Sequence, residues 1–209
     1  MKNYSLCNVY LWGMKVGTAA WDHERKSAFF EYELKFKKTG LELAPLMMPL
    51  QGQSIYNFPY LSEETYQGLP GLLADSLPDY FGNQVINAYL LSRKRPENSF
   101  NAVEKLCYIG KRGMGALEFQ PALSRVRKAQ RIEVNELAGL AAEILHDREA
   151  FQTSLDDKKR AFHDILQVGS SAGGARPKAV IAWNPETNEV YSGQVDAPEG
   201  CEHWLLKFD

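Results

Sequence analysis

Residues 28–36 alternate apolar and polar once past Phe29. The order is Phe30, Glu31, Tyr32, Glu33, Leu34, Lys35, Phe36. A period of two puts the apolar set on one face of a strand. Two shorter β-prone segments precede it, 4–11 and 16–21, with Trp12-Gly13-Met14-Lys15 between them, and they read as a hairpin. Residues 43–61 hold three prolines and read as irregular, with room for a short strand. Leu72 to Ser76 reads as a turn or two of helix, closed by Pro78. The period then changes. Phe81, Val85, Ile86, Tyr89 and Leu90 fall at helical spacing. They predict a helix from about Asp79 to Arg95, ended by Pro96. Asn101 to Tyr108 reads as a second, short helix, and Gly110, Gly113 and Gly115 mark a loop after it.

The second half of the chain repeats this change of period in the opposite order. Arg125 to Arg131 is basic and unpatterned, which marks a boundary. Leu137, Leu140, Ala141, Ile144 and Leu145 then line one face of a helix predicted over Val134 to Glu149. Ser154-Leu-Asp-Asp157 has the form of a capping box, opening a helix to about Gln167 that ends at Gly169. Ala179 to Trp183 and Glu189 to Ser192 form a predicted hairpin around Asn184-Pro-Glu-Thr-Asn188. His203 to Phe208 is the next strand. Its alternation puts Trp204, Leu206 and Phe208 on one face and His203, Leu205 and Lys207 on the other. The pattern predicts an α+β protein: an antiparallel sheet with helices over 1–125, and a second domain beginning at 126–209.

Composition narrows the function classes. An apolar fraction of 44% with 11% aromatic residues is that of a globular chain. The net charge of −2 argues against a dominant nucleic-acid surface. Arg93-Lys-Arg95, Lys111-Arg112 and Arg125-Val-Arg-Lys128 read as solvated surface. The three cysteines are far apart, with neither zinc spacing nor a C-x-x-C motif, as in a reduced cytoplasmic protein. The four histidines show no metal-ligand spacing either. The start has no signal-peptide pattern and no stretch has transmembrane length, so a cytoplasmic protein without membrane or direct nucleic-acid partners is expected. Asp156 and Asp157 suit the first turn of a helix, and Asp75 and Asp79 flank Pro78, so neither pair reads as a catalytic couple.

The candidate chemistry lies in Gly169-Ser-Ser-Ala-Gly-Gly-Ala-Arg-Pro-Lys178. Bare backbone N–H groups beside a lysine suit a phosphate, and glycine lets the chain approach it closely. The Walker pattern fails, because Gly174 is followed by Ala175 and Lys178 by Ala179. The protein-kinase G-x-G-x-x-G spacing fails too, with glycines at 169, 173 and 174. On its residues alone the stretch is open to a second reading, a plain connector between a helix and a strand. The glycines of Gly110-Lys-Arg-Gly-Met-Gly115 read as turns.

Ser171-Ala-Gly-Gly-Ala-Arg-Pro-Lys178 resembles the glycine-rich loop of the HipA-like serine/threonine kinases, the toxin halves of bacterial toxin–antitoxin pairs. Other stretches follow in that family's order: Asn8 to Gly17, Phe30-Glu-Tyr32, Met48-Pro-Leu50, Leu69 to Asp79, Tyr108-Ile-Gly110 and Gly115 to Pro121. The resemblance spans nearly the whole chain. It implies that 126–209 begins a kinase N-lobe, with Gly173, Gly174, Ala175, Lys178 and Lys207 at the ATP phosphates. It also implies that Ser171, or else Ser170, is autophosphorylated. The added charge there would repel the nucleotide and silence the kinase.

In that family the catalytic and metal-binding aspartates lie in a larger lobe beyond the position of Asp209. Phosphoryl transfer needs those groups and Mg²⁺. The chain is therefore expected to hold part of an ATP site and to be inactive alone. The resemblance further implies a cognate DNA-binding antitoxin and the remaining kinase lobe as partners. For the complete kinase it implies a protein substrate such as an aminoacyl-tRNA synthetase. The alternative is a non-catalytic, antitoxin-like module, since related systems encode the counterpart of 1–125 separately and it docks on a kinase core.

Overall fold

The computed structural model describes residues 5–123, 131–146, 178–194 and 197–208. The chain divides into two compact units, Met1–Leu77 with Phe100–Ser124, and Pro78–Ser99 with Arg125–Asp209. The fold is α+β.

In the first unit, β1 (Leu6–Leu11) and β2 (Met14–Asp22) form the expected hairpin, with Leu11 opposite Met14. Its turn is two residues, Trp12 and Gly13, both at positive φ (49° and 79°), the geometry that suits the right-handed twist of a hairpin. β3 (Ser27–Tyr32), β4 (Ile55–Tyr56) and β5 (Leu117–Gln120) complete an antiparallel sheet in the order β4-β3-β2-β1-β5. The strand predicted over 28–36 stops at Tyr32. Leu34–Lys37 instead makes one turn of helix, α1. A continued strand would put residues 34 and 36 on the same face. The helical turn separates them, burying Phe36 completely while Leu34 stays 72% exposed. Phe36 then stacks on Tyr32, with ring centroids 6.0 Å apart.

Two short helices, α2 (Glu63–Tyr66) and α3 (Gly71–Ala74), lead to residue 77. The helix α5 (Ala102–Ile109) packs on β1, β2 and β5. A reciprocal cap opens it: Asn101 Oδ1 accepts from Glu104 N at 2.9 Å, and Glu104 Oε2 accepts from Asn101 N at 3.1 Å. That pairing accounts for a glutamate only 2% exposed. Val103, Leu106 and Cys107 of α5 share one core with Val9, Ala19, Phe30 and Phe119 of the sheet.

The second unit holds α4 (Tyr80–Ser92), α6 (Val134–His146) and an antiparallel sheet in the order β7-β6-β8. Its strands are β6 (Lys178–Asn184), β7 (Glu189–Ser192) and β8 (Glu202–Lys207). Phe81, Val85 and Ala88 of α4 meet Leu137, Leu140, Ala141 and Ile144 of α6 and Ala179 and Ile181 of β6. Leu206 and Phe208 join this core. Trp204, expected on their face, is 53% exposed and meets Trp183 edge-on at 6.3 Å. The helix predicted from Ser154 to Gln167 and the glycine-rich stretch after it lie outside the described residues. Among the described residues no helix is long and apolar enough to cross a membrane.

Candidate functional site

Of the residues assigned to phosphate, Gly173, Gly174 and Ala175 lie outside the described residues, as do Ser170 and Ser171. Lys178 and Lys207 are described, and the sheet brings them together. Antiparallel pairing of β6 with β8 sets Lys178 directly opposite Lys207. Directly opposed residues have Cβ atoms about 4.5–5.5 Å apart, and like charges there repel. Two lysines therefore sit at one end of this sheet, where β6 leaves the glycine-rich stretch.

Their surroundings differ. Lys207 is exposed, and no carboxylate among the described residues pairs with it. Lys178 is only 2% exposed. Its Nζ donates to Asp79 Oδ2 at 2.8 Å, and the two side chains are 3% and 7% exposed. Asp79 is the N-cap of α4, in extended backbone, and its Oδ1 accepts from Gly82 N at 2.8 Å. One carboxylate thus caps a helix with one oxygen and holds a lysine with the other. The backbone before α4 is fixed in turn by Asn83, whose Nδ2 donates to the carbonyls of Pro78 and Asp79, both at 2.9 Å. A buried ion pair is tolerated only when hydrogen bonds offset the desolvation of both charges. The cap and the positive end of the α4 dipole supply part of that for Asp79.

Asp79 was legible as a helix start but not as a member of the site. Its pairing spans 99 positions of sequence, so no local spacing announces it.

Residues 7–120 match the family described as the HipA N-terminal domain. The chain belongs to this family. The match covers more than half of the chain and runs from β1 to β5, the first and last strands of the first unit's sheet in sequence, which pair with each other. The matched stretch takes in the five-stranded sheet, α5, and also α4 with Asp79, whereas Lys178 and Lys207 lie beyond it. No curated protein matches the chain.

Proposed function

We propose that this HipA-family chain is the N-terminal part of a serine/threonine protein kinase toxin of a toxin–antitoxin pair, and that it contributes the loop and lysines that hold the ATP phosphates. The observation that carries the reading is the register that sets Lys178 opposite Lys207 beside the end of the glycine-rich stretch. Opposed positions on paired strands let both side chains reach one polyanion placed at that end of the sheet. In this reading Gly173, Gly174 and Ala175 offer backbone N–H groups to the phosphates. Phosphorylation of Ser171, or of Ser170, would set a dianion on the same donors. Mg²⁺ and the catalytic carboxylates belong to the complete kinase, which acts in the cytoplasm on a protein substrate and is held by a cognate antitoxin. Induced expression of the complete reading frame is expected to arrest growth, and Lys207→Ala to relieve the arrest. A Lys207→Ala protein that remains fully toxic would mean that the wrong lysine is assigned.

A second reading is a non-catalytic module that docks on a HipA-type kinase core. It is favoured by the exposed apolar side chains of the first unit: Trp12 at 78%, Leu46 at 93%, Met47 at 58% and Tyr60 at 73%. Such side chains are common anchors of protein interfaces. Co-expression with a kinase core separates the two readings, since a docking module is expected to co-purify with it at fixed stoichiometry.

A further inference from the structure

The ion pair of Lys178 with Asp79 has a consequence for any anion that enters beside Lys207. An ammonium 2.8 Å from a carboxylate, with both side chains almost fully buried, presents little net charge to its surroundings. The resting site therefore attracts an anion through Lys207, with Lys178 largely neutralised. Asp79 is also fixed in place. Its other oxygen caps α4, and Asn83 pins the carbonyls on either side of the cap. The lysine stem is the flexible partner, with four rotatable carbons against the two torsions of an aspartate held by a helix.

We propose that Asp79 is a positioning residue of the phosphate site: it holds Lys178 against the N-terminus of α4, and an incoming phosphate must draw the ammonium away from it. The proposal rests on the phosphate-site reading above. It makes Asp79 a competitor of the anion for Lys178. The affinity of the site is then set by the difference between two carboxylate- or phosphate-bound positions of one lysine. Neutralising Asp79 should strengthen anion binding, whereas a residue that merely supported the fold would weaken binding when changed.

Asp79→Asn is the informative variant, because asparagine is as good an N-cap as aspartate and leaves α4 its acceptor. Two readouts are taken on the full chain, with a circular dichroism melt confirming the fold. The first is the rate at which each lysine reacts with an amine-selective acetylating reagent, resolved by peptide mass spectrometry. In the wild-type chain Lys178 is expected to react more slowly than Lys207 by about tenfold, chiefly because its ammonium is held by the Asp79 carboxylate, and Asp79→Asn to remove most of that difference. The second is calorimetric titration with tripolyphosphate, which Asp79→Asn is expected to bind at least about tenfold more tightly.

Equal reactivity of the two lysines in the wild-type chain overturns the proposal without recourse to any variant. So does an unchanged Lys178 rate in Asp79→Asn, or tripolyphosphate affinity that is equal or weaker in the variant. If the reactivities behave as expected and neither protein binds tripolyphosphate, it is the phosphate-site reading that falls, and the displacement step falls with it.

Discussion

At Gly17 a single added methyl would meet backbone. Gly17 lies in β2 between Val9 of β1 and Tyr32 of β3, next to an irregularity in the β1–β2 register. A Cβ there would fall on the Glu31 carbonyl and within 2.6 Å of the Phe30 ring. Gly17→Ala is expected to destabilise the first unit by about 1–3 kcal/mol, the usual cost of overpacking, read as a lower urea midpoint. Two thiols lie in the same core. Cys7 and Cys107 are fully buried, while Cys201 is partly exposed. A thiol-reactive dye should label Cys201 in the native chain and reach the other two only on unfolding.

The Cys7 thiol is pushed far above its ordinary value of 9.0, first by its hydrogen bond with Cys107 and then by burial. The native state therefore keeps a proton that the unfolded chain releases above that value. Stability from this group is complete below about pH 9 and falls as pH rises further. Tyr32, pushed up by burial to about 12 from 10.0, adds to the fall above pH 10. Urea midpoints measured between pH 8 and 10.5 should decline, and decline less steeply in Cys7→Ala. Lys207 and Lys178 were named from the resemblance and Asp79 was not, because a contact between distant residues leaves no mark in local spacing.

The elements with a clean period were legible: the β1–β2 hairpin, α4, α5, α6, and the strands β6, β7 and β8. Those that were missed are short or tertiary in origin. β5 has four residues, and its partner β1 lies more than a hundred positions earlier, so pairing rather than pattern makes it a strand. α2 has four residues and a serine cap, with no repeat to detect. The sequence alternates from Phe30 to Phe36, yet the chain leaves the sheet after Tyr32 because a helical turn buries Phe36. If burial decides that turn, Phe36→Ala should cost about 3–5 kcal/mol, far more than Leu34→Ala, in the same denaturation assay. Asn101→Ala, which removes the reciprocal cap of α5, should cost about 1 kcal/mol.

The molecule as a whole is an α+β chain of the HipA N-terminal domain family, and its compact units do not follow sequence order. The segment Pro78–Ser99 counts with the later residues, so α4 contributes its core face, and Asp79 its carboxylate, to the unit that carries β6 and β8. Hydrophobic period identified α4 as a helix. It did not say with which strands that helix would pack, since an apolar face fits any complementary surface of the right shape.

The glycine-rich stretch with the opposed Lys178 and Lys207 is proposed to form an ATP-phosphate site. Titration of isotope-labelled chain with Mg-ATP, followed by amide chemical shifts, tests it most directly. Shifts are expected to concentrate at residues 169–178 and around Lys207, and to be lost in Lys207→Ala. Shifts that avoid both segments, or that persist unchanged in Lys207→Ala, would contradict it.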